Sequence, residues 1–305
     1  MVASSHPLQH PAISLQSFQD VAAIHVCNYT HESSIREVGI CWGGWFSEVC
    51  LNLQCDQAVG TRFKSRSQQS RVISESWYGE TLYCFACDSD EVKKLPNNTR
   101  HADFVCPKCG HLYELKTVQK RPKTTLPDGS FSQMIEGIQQ GKAPSLCLLE
   151  RSADWHVRAL NAFHSSFLLP HVIEKRPPLS ELAKRKGAVL CNIRMDRITA
   201  DAEVGIIRQS SPLPVPEVRR RFQRFLPLNQ KSPEARGWTV LTLATTRSLG
   251  TTAFELADLY ALEGQFAAVY PENRHIRDKI RQQLQVLRDM GVLEFLGQGS
   301  YRFLD

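Results

Sequence analysis

Two Cys-x-x-Cys pairs constrain this chain more than any other feature. Cys84 and Cys87 form the first and Cys106 and Cys109 the second, with eighteen residues between them. Each pair sets two thiolates on one tight turn, and two such turns brought together complete a tetrahedron of sulfur around a zinc ion. A shell of four thiolates leaves no position open for water, so the predicted ion is a structural Zn2+. Cys27, Cys41, Cys50, Cys55, Cys147 and Cys191 show no such pairing and read as small core residues.

The second cysteine pair lies inside another pattern. Residues 101–117 read HADFVCPKCGHLYELKT, and Asp103, Glu114 and Lys116 bracket the cysteines. On an extended segment, residues two apart share a face, so Glu114 and Lys116 project together while Leu115 points away. A neighbouring strand carrying Asp103 would set two carboxylates and an ammonium around one spot. Such oxygens suit Mg2+, which lowers the pKa of a bound water and stabilises charge growing on a phosphodiester. Alone, the pattern is common on surface strands. Its position changes its weight: the metal knuckle clamps the turn between the two segments that carry the acids, and a metal-dependent site needs a rigid support.

Around this hairpin, residues from about 61 to 84 read as a helix with Val72, Ile73 and Trp77 on one side. FSQMIEGIQQGKA reads as a helix stopped by glycine, and PSLCLLER and WHVRALNAF as strands. The predicted class is α/β (α+β): a mixed sheet with helices on its faces. Proline and arginine crowd residues 209–235, which predicts a connection and a boundary near 230. The expected domains are an N-terminal extension of unknown role (1–46), a catalytic domain with the zinc site (47–230) and a C-terminal DNA-binding domain (231–305).

That last domain is the most legible. WTVLTLATTR and AFELADLYAL can be helices, HIRDKIRQQLQVLRDMG is a strong one with Ile276, Ile280, Leu284 and Leu287 at helical spacing, and VLEFLGQGSYRFL is a hairpin. This order is that of a winged helix-turn-helix. Charged helix faces are usually just solvated. In this position the helix would enter the major groove, where Arg277, Arg281, Gln282 and Gln285 could meet base edges, with Arg288 flanking. Arg274 and Lys279 suit phosphates.

Composition adds little. Thirty-seven basic against 31 acidic residues give a net charge of +6, a mild tilt toward a polyanionic partner. No run approaches the ~18 apolar residues of a membrane span, and the first 30 residues lack the basic start and apolar block of a signal peptide. The reading is a cytoplasmic protein with no membrane partner.

With these residues in view, the chain from about 50 to 305 resembles the DpnI-type restriction endonucleases. The resemblance is carried by SQQSRVISESW, YCFAC, ADFVCPKC, YELKT, RGWT and IRDKIRQQLQVLRDMGVLEFLGQGSYR. It implies a PD-(D/E)xK nuclease domain with a four-cysteine zinc site, followed by a winged helix. It further implies a monomeric, Mg2+-dependent type II enzyme that cuts double-stranded DNA at GATC when the adenine carries an N6-methyl group, both domains reading the mark. By position, Asp103, Glu114 and Lys116 become catalytic, and Asp103, Glu114 and Leu115 bind Mg2+. Burying one methyl is worth only ~0.8 kcal/mol, so two domains testing one mark would multiply a modest preference.

Two departures accompany the resemblance. Residues 1–46 have no counterpart and read as an extension or as the product of a start assigned upstream of Val49. Gly187-Ala188 stands where the family pattern has Gly-Trp, so the nuclease domain lacks an aromatic there. The alternatives are a nuclease of the same fold with another sequence or methylation specificity, and a zinc-stabilised winged-helix regulator without cleavage. Asp103, Glu114 and Lys116 argue against the latter, because a pure binder has no need of that cluster.

Overall fold

The computed structural model describes residues 51–97 and 99–304, together with two N-terminal strands, β1 (His25–Asn28) and β2 (Val38–Cys41). The chain divides into two compact units, Met1–Leu51 and Asn52–Asp305. In the first, β1 and β2 pair antiparallel with His25 opposite Cys41. The expected extension 1–46 otherwise lies outside the described residues, as does its role.

In the second unit, α1 (Arg66–Thr81) lies within the span 61–84 expected of a helix but is shorter at both ends, with Ile73, Trp77 and Tyr78 buried and Val72 at the margin. Two short strands follow, β3 (Lys93–Lys94) and β4 (Phe104–Val105), and then β5 (Leu112–Val118). β6 (Thr125–Ser130) runs directly into α2 (Phe131–Gln139). Gly141 stands just past α2 at φ +68°, a left-handed conformation that glycine adopts without a Cβ clash. Next come β7 (Ser145–Arg151), β8 (Val157–Phe163), β9 (Ile173–Pro178), β10 (Val189–Arg194), β11 (Glu203–Arg208) and β12 (Ser211–Pro212).

Seven of these strands form one mixed sheet in the order β12-β11-β8-β7-β5-β4-β3. β5 and β7 run parallel with Lys116 opposite Leu148, and the other pairs are antiparallel. A central strand covered on both faces loses polar alternation. β7 shows this: Ser145 to Leu149 are all buried. A second, antiparallel sheet, β6-β10-β9, is seated against the first through a core that includes Leu126, Ile138, Leu146, Leu148, Phe163, Cys191 and Ile193. That sheet is absent from the sequence reading because TLPDGS and IEKRPP carry proline and charge rather than apolar alternation.

The segment 209–235, expected as a connection, is structured. It holds β12, α3 (Val215–Gln223) and a 3-10 turn, Leu226–Gln230. Pro214, Pro216, Pro227 and Pro233 sit at helix starts, where the missing N–H costs nothing, Pro212 lies in the two-residue edge strand β12, and Val218 and Phe222 are buried.

The C-terminal part comprises α4 (Pro233–Ser248), β13 (Ala253–Glu255), α5 (Leu256–Ala261), α6 (Glu263–Val269), α7 (Ile276–Asp289), β14 (Leu293–Gly297) and β15 (Ser300–Phe303). Ile276, Ile280, Leu284 and Leu287 of α7 are buried, as their spacing requires, and Gly291 lies beyond its end at φ +68°. The hairpin turns through Gln298 and Gly299, both at positive φ, which matches the twist of the flanking strands. One expectation is corrected. Ala253–Glu255 of AFELADLYAL is not helical but an edge strand on β15, because Phe254 stacks on Tyr301 at 5.5 Å and a Glu255/Asp258 capping box starts α5 only at Leu256. No helix among the described residues is long and apolar enough to cross a membrane.

Candidate active site

The β4–β5 hairpin forms where the sequence placed it. Asp103 N donates to Tyr113 O and Cys106 N to His111 O, at 2.9 Å each, and Phe104 pairs with Tyr113. One step along that register, Asp103 comes opposite Glu114. The link is direct: the amide of Leu115 donates to Asp103 Oδ2 at 2.9 Å. Strand alternation sends Tyr113 into an aromatic cluster with Phe85, His111 and Phe222 on one face, while Glu114 and Lys116 share the other.

At the head of the hairpin the four cysteines converge. Their Sγ atoms all lie within 4.8 Å of one another, with Cys84–Cys109 at 3.7 Å and Cys87–Cys106 at 3.5 Å. Zinc–sulfur bonds of ~2.3 Å in a tetrahedron put sulfurs about 3.8 Å apart, so the donor set fits zinc. Amides of Lys108 and Cys109 point at Cys106 Sγ at 3.4 and 3.5 Å, and that of Ser89 at Cys87 Sγ at 3.5 Å. Burial opposes ionisation of Cys106, but the amide bonds prevail and hold its thiol down at about 6. Burial pushes the Cys84 thiol up to about 11. Gly110 closes the Cys-Pro-Lys-Cys-Gly knuckle at φ +73°. Of the other cysteines, Cys55, Cys147 and Cys191 are buried and form no disulfide, whereas the side chains of Cys27, Cys41 and Cys50 lie outside the described residues.

Arg219 on α3, a residue with no sequence signal, fastens this turn to the body. It donates to Cys84 O at 3.1 Å and Ser89 O at 2.8 Å, and pairs with Asp90 at 3.2 Å. Such contacts cannot be inferred from local pattern, since 135 residues separate Arg219 from Cys84.

Asp103 and Glu114 line a pocket of about 170 Å³ with Thr99, His101, Asp128 and Met134. Asp128, on β6, was missed by the sequence reading. The Lys116 ammonium is shared between Glu114 Oε1 at 2.6 Å and Asp128 Oδ1 at 2.5 Å. The only sequence signal for Asp128 was a Pro-Asp-Gly, which reads as a turn.

The electrostatics invite a cation. Burial raises the Glu114 carboxyl to about 8; Lys116 pulls it down, and Asp128 and Asp103 push it up further. Burial also raises Asp103, against the Leu115 amide. For Lys116, burial works against the charge, but Glu114 and Asp128 outweigh it and its pKa rises. A partly buried pocket where carboxylates outnumber ammonium groups would be relieved by a divalent ion, and oxygen donors with room for water suit Mg2+.

On α7, Arg277, Arg281, Gln282 and Gln285 are all exposed, as are Arg274 and Arg288. Arg277, Arg281 and Gln285 follow one another at four-residue steps, which aligns them along the helix. Arg277 pairs with Glu263 at 2.8 Å, Arg281 with Asp278, and Lys279 donates to Gln282 at 3.2 Å. The opposite side of α7 is held by Gln283, which accepts from Thr239 of α4 at 2.7 Å.

Two family models match the chain. The one described as DpnI, Dam-replacing family, covers residues 51–231, and the one described as Dam-replacing HTH domain covers 234–303. The zinc-ready knuckle and the acidic hairpin fall in the first, the exposed arginines and glutamines of α7 in the second. The chain therefore belongs to the DpnI, Dam-replacing, family and ends in that family's helix-turn-helix domain.

Proposed function

We propose that the chain is a methyl-directed type II restriction endonuclease of PD-(D/E)xK design that cleaves double-stranded DNA at GATC carrying N6-methyladenine. The observation that carries this reading is the meeting of Asp103, Glu114 and Lys116 across one clamped hairpin, in a chain of the DpnI family.

In this reading Asp103, Glu114 and Leu115 hold Mg2+. That ion supplies a water of lowered pKa and a counter-charge for the phosphodiester. Asp103 is oriented for binding by the Leu115 amide, which occupies one of its oxygens and leaves the other free. Glu114 must give up its proton to bind, and near neutral pH a carboxyl raised to about 8 does so when a cation arrives. Lys116 keeps its ammonium beside the acids and adds positive potential where the phosphate gains negative charge. Cys84, Cys87, Cys106 and Cys109 hold a structural Zn2+ that keeps the hairpin rigid. α7 enters the major groove with Arg277, Arg281, Gln282 and Gln285 toward the bases. The enzyme works as a cytoplasmic monomer with a catalytic domain over 47–230 and a winged helix over 231–305.

The test uses purified protein, Mg2+ and plasmid from adenine-methylating and non-methylating hosts. Cutting of the methylated plasmid alone is expected. Cutting of both would remove the methyl requirement, and cutting of neither with DNA binding retained would leave a regulator.

A further inference from the structure

We propose that Asp128 is a positioning residue of the cleavage site: it holds the Lys116 ammonium in place while Glu114 serves a metal ion. The inference rests on the nuclease reading above and adds a residue that the Asp…Glu-x-Lys pattern does not contain.

Lys116 has two carboxyl partners at nearly equal distance, Glu114 at 2.6 Å and Asp128 at 2.5 Å. They are not equivalent. Glu114 is a metal-binding carboxylate in the proposed chemistry, and a divalent cation on it both withdraws its lone pairs and repels the nearby ammonium. A lysine stem is flexible, and the Lys116 side chain is still 24% exposed, so an ammonium displaced from Glu114 could swing out to water. Asp128 prevents this. Its side chain is 3% exposed, its Oδ1 also accepts from Gly129 N at 2.7 Å, and its backbone is paired with Cys191 in β10. The anchor therefore belongs to a different sheet from the lysine and does not move with it.

Charge supports the same assignment. Once Glu114 has given up its proton to the metal, Asp103, Glu114 and Asp128 with one ammonium carry two negative charges, which a single divalent ion balances. Without Asp128 the same ion would leave the site positive before any phosphate entered. Asp128 Oδ2 is buried, and besides Lys116 and Gly129 N the group set against Asp128 is the neighbouring Glu114 carboxyl.

The experiment compares the full chain with Asp128→Asn, which keeps the shape and the Gly129 bond but not the charge, and with Asp128→Ala. Single-turnover cleavage of methylated plasmid is measured beside Mg2+ affinity by titration calorimetry without DNA. Asp128→Asn is expected to slow cleavage about 100-fold, of the order of a lost charge-stabilising contact, while Mg2+ affinity stays within about threefold. Added formate should restore part of the activity of Asp128→Ala and none of that of Lys116→Ala, a response that a merely structural role would not produce. Unchanged cleavage by Asp128→Asn would overturn the inference while leaving the nuclease reading intact. A tenfold or greater loss of Mg2+ affinity would overturn it by making Asp128 a metal ligand, and so would slow cleavage by both variants without formate rescue. Failure of the wild-type chain to cut would remove both.

Discussion

Arg236 on α4 donates from its guanidinium to the carbonyl oxygen of Ile138 on α2, at 2.9 Å, with the arginine 2% exposed. The bond ties the part of the chain matched by the helix-turn-helix model to the helix that follows β6 and its Asp128. Phe167, Phe225 and Leu228 also pack in one core with Trp238, Leu243 and Phe266. The two parts share a core and are not joined by a loose linker. Arg236→Ala should cost about 2–3 kcal/mol, the scale of a charged hydrogen bond removed from a buried site. Urea unfolding would measure it, and limited trypsin digestion should then cut faster between 224 and 236.

Lys116→Ala should lower single-turnover cleavage by a factor of about 100 to 1,000, typical of a lost transition-state charge contact. DNA affinity, measured by anisotropy, should change little, because the lysine is already paired within the protein. Undiminished cutting would remove Lys116 from the chemistry.

Zinc should be present at one ion per chain by elemental analysis. Stripping it, with Mg2+ returned in excess, should lower the melting temperature by ~10 °C or more, since metal bound only by the folded chain adds its binding energy to stability. Cys106→Ser should act in the same direction. A melting temperature indifferent to chelation would refute the zinc assignment.

His164 makes stability depend on pH in a defined direction. Burial lowers its pKa to about 3, helped by His111 and Arg236, and Ser166 N donates to its Nδ1, which therefore carries no proton. The folded state keeps this imidazole neutral, whereas the unfolded chain protonates it below about 6.5. Its contribution is thus complete above pH 6.5 and is lost as pH falls toward 3, at a limiting slope of about 1.4 kcal/mol per pH unit. His164→Asn can still accept from Ser166 N without titrating. Urea midpoints at pH 7.5 and 5 should differ less for the variant than for the wild type, and equal differences would contradict the assignment.

On α7, Arg281→Ala should weaken binding to the methylated site by ~1–3 kcal/mol if its guanidinium meets a base, with the salt slope nearly unchanged. A lowered slope with an equal loss on all sequences would make it a phosphate contact. Anisotropy over a range of salt concentrations distinguishes the two.

Local pattern determined much of this protein. Cys84, Cys87, Cys106 and Cys109, the adjacent Asp103 and Glu114-Leu115-Lys116, and the apolar stripe of α7 are readable because each lies within one turn, hairpin or helix whose geometry follows from a repeat of two or 3.6 residues. Only the tertiary structure decided what meets them from afar. Asp128 reaches Lys116 through a second sheet whose strands lack alternation, Arg219 reaches the cysteine turn from a helix within a proline-rich segment, and Arg236 bonds to a carbonyl 98 residues away. Ala253–Glu255 became a strand because β15 offered an edge and Phe254 a ring to stack on. In each case the deciding partner is distant in the chain, and periodicity carries no information about which distant group will fill a buried carboxylate's or guanidinium's need for a counterpart.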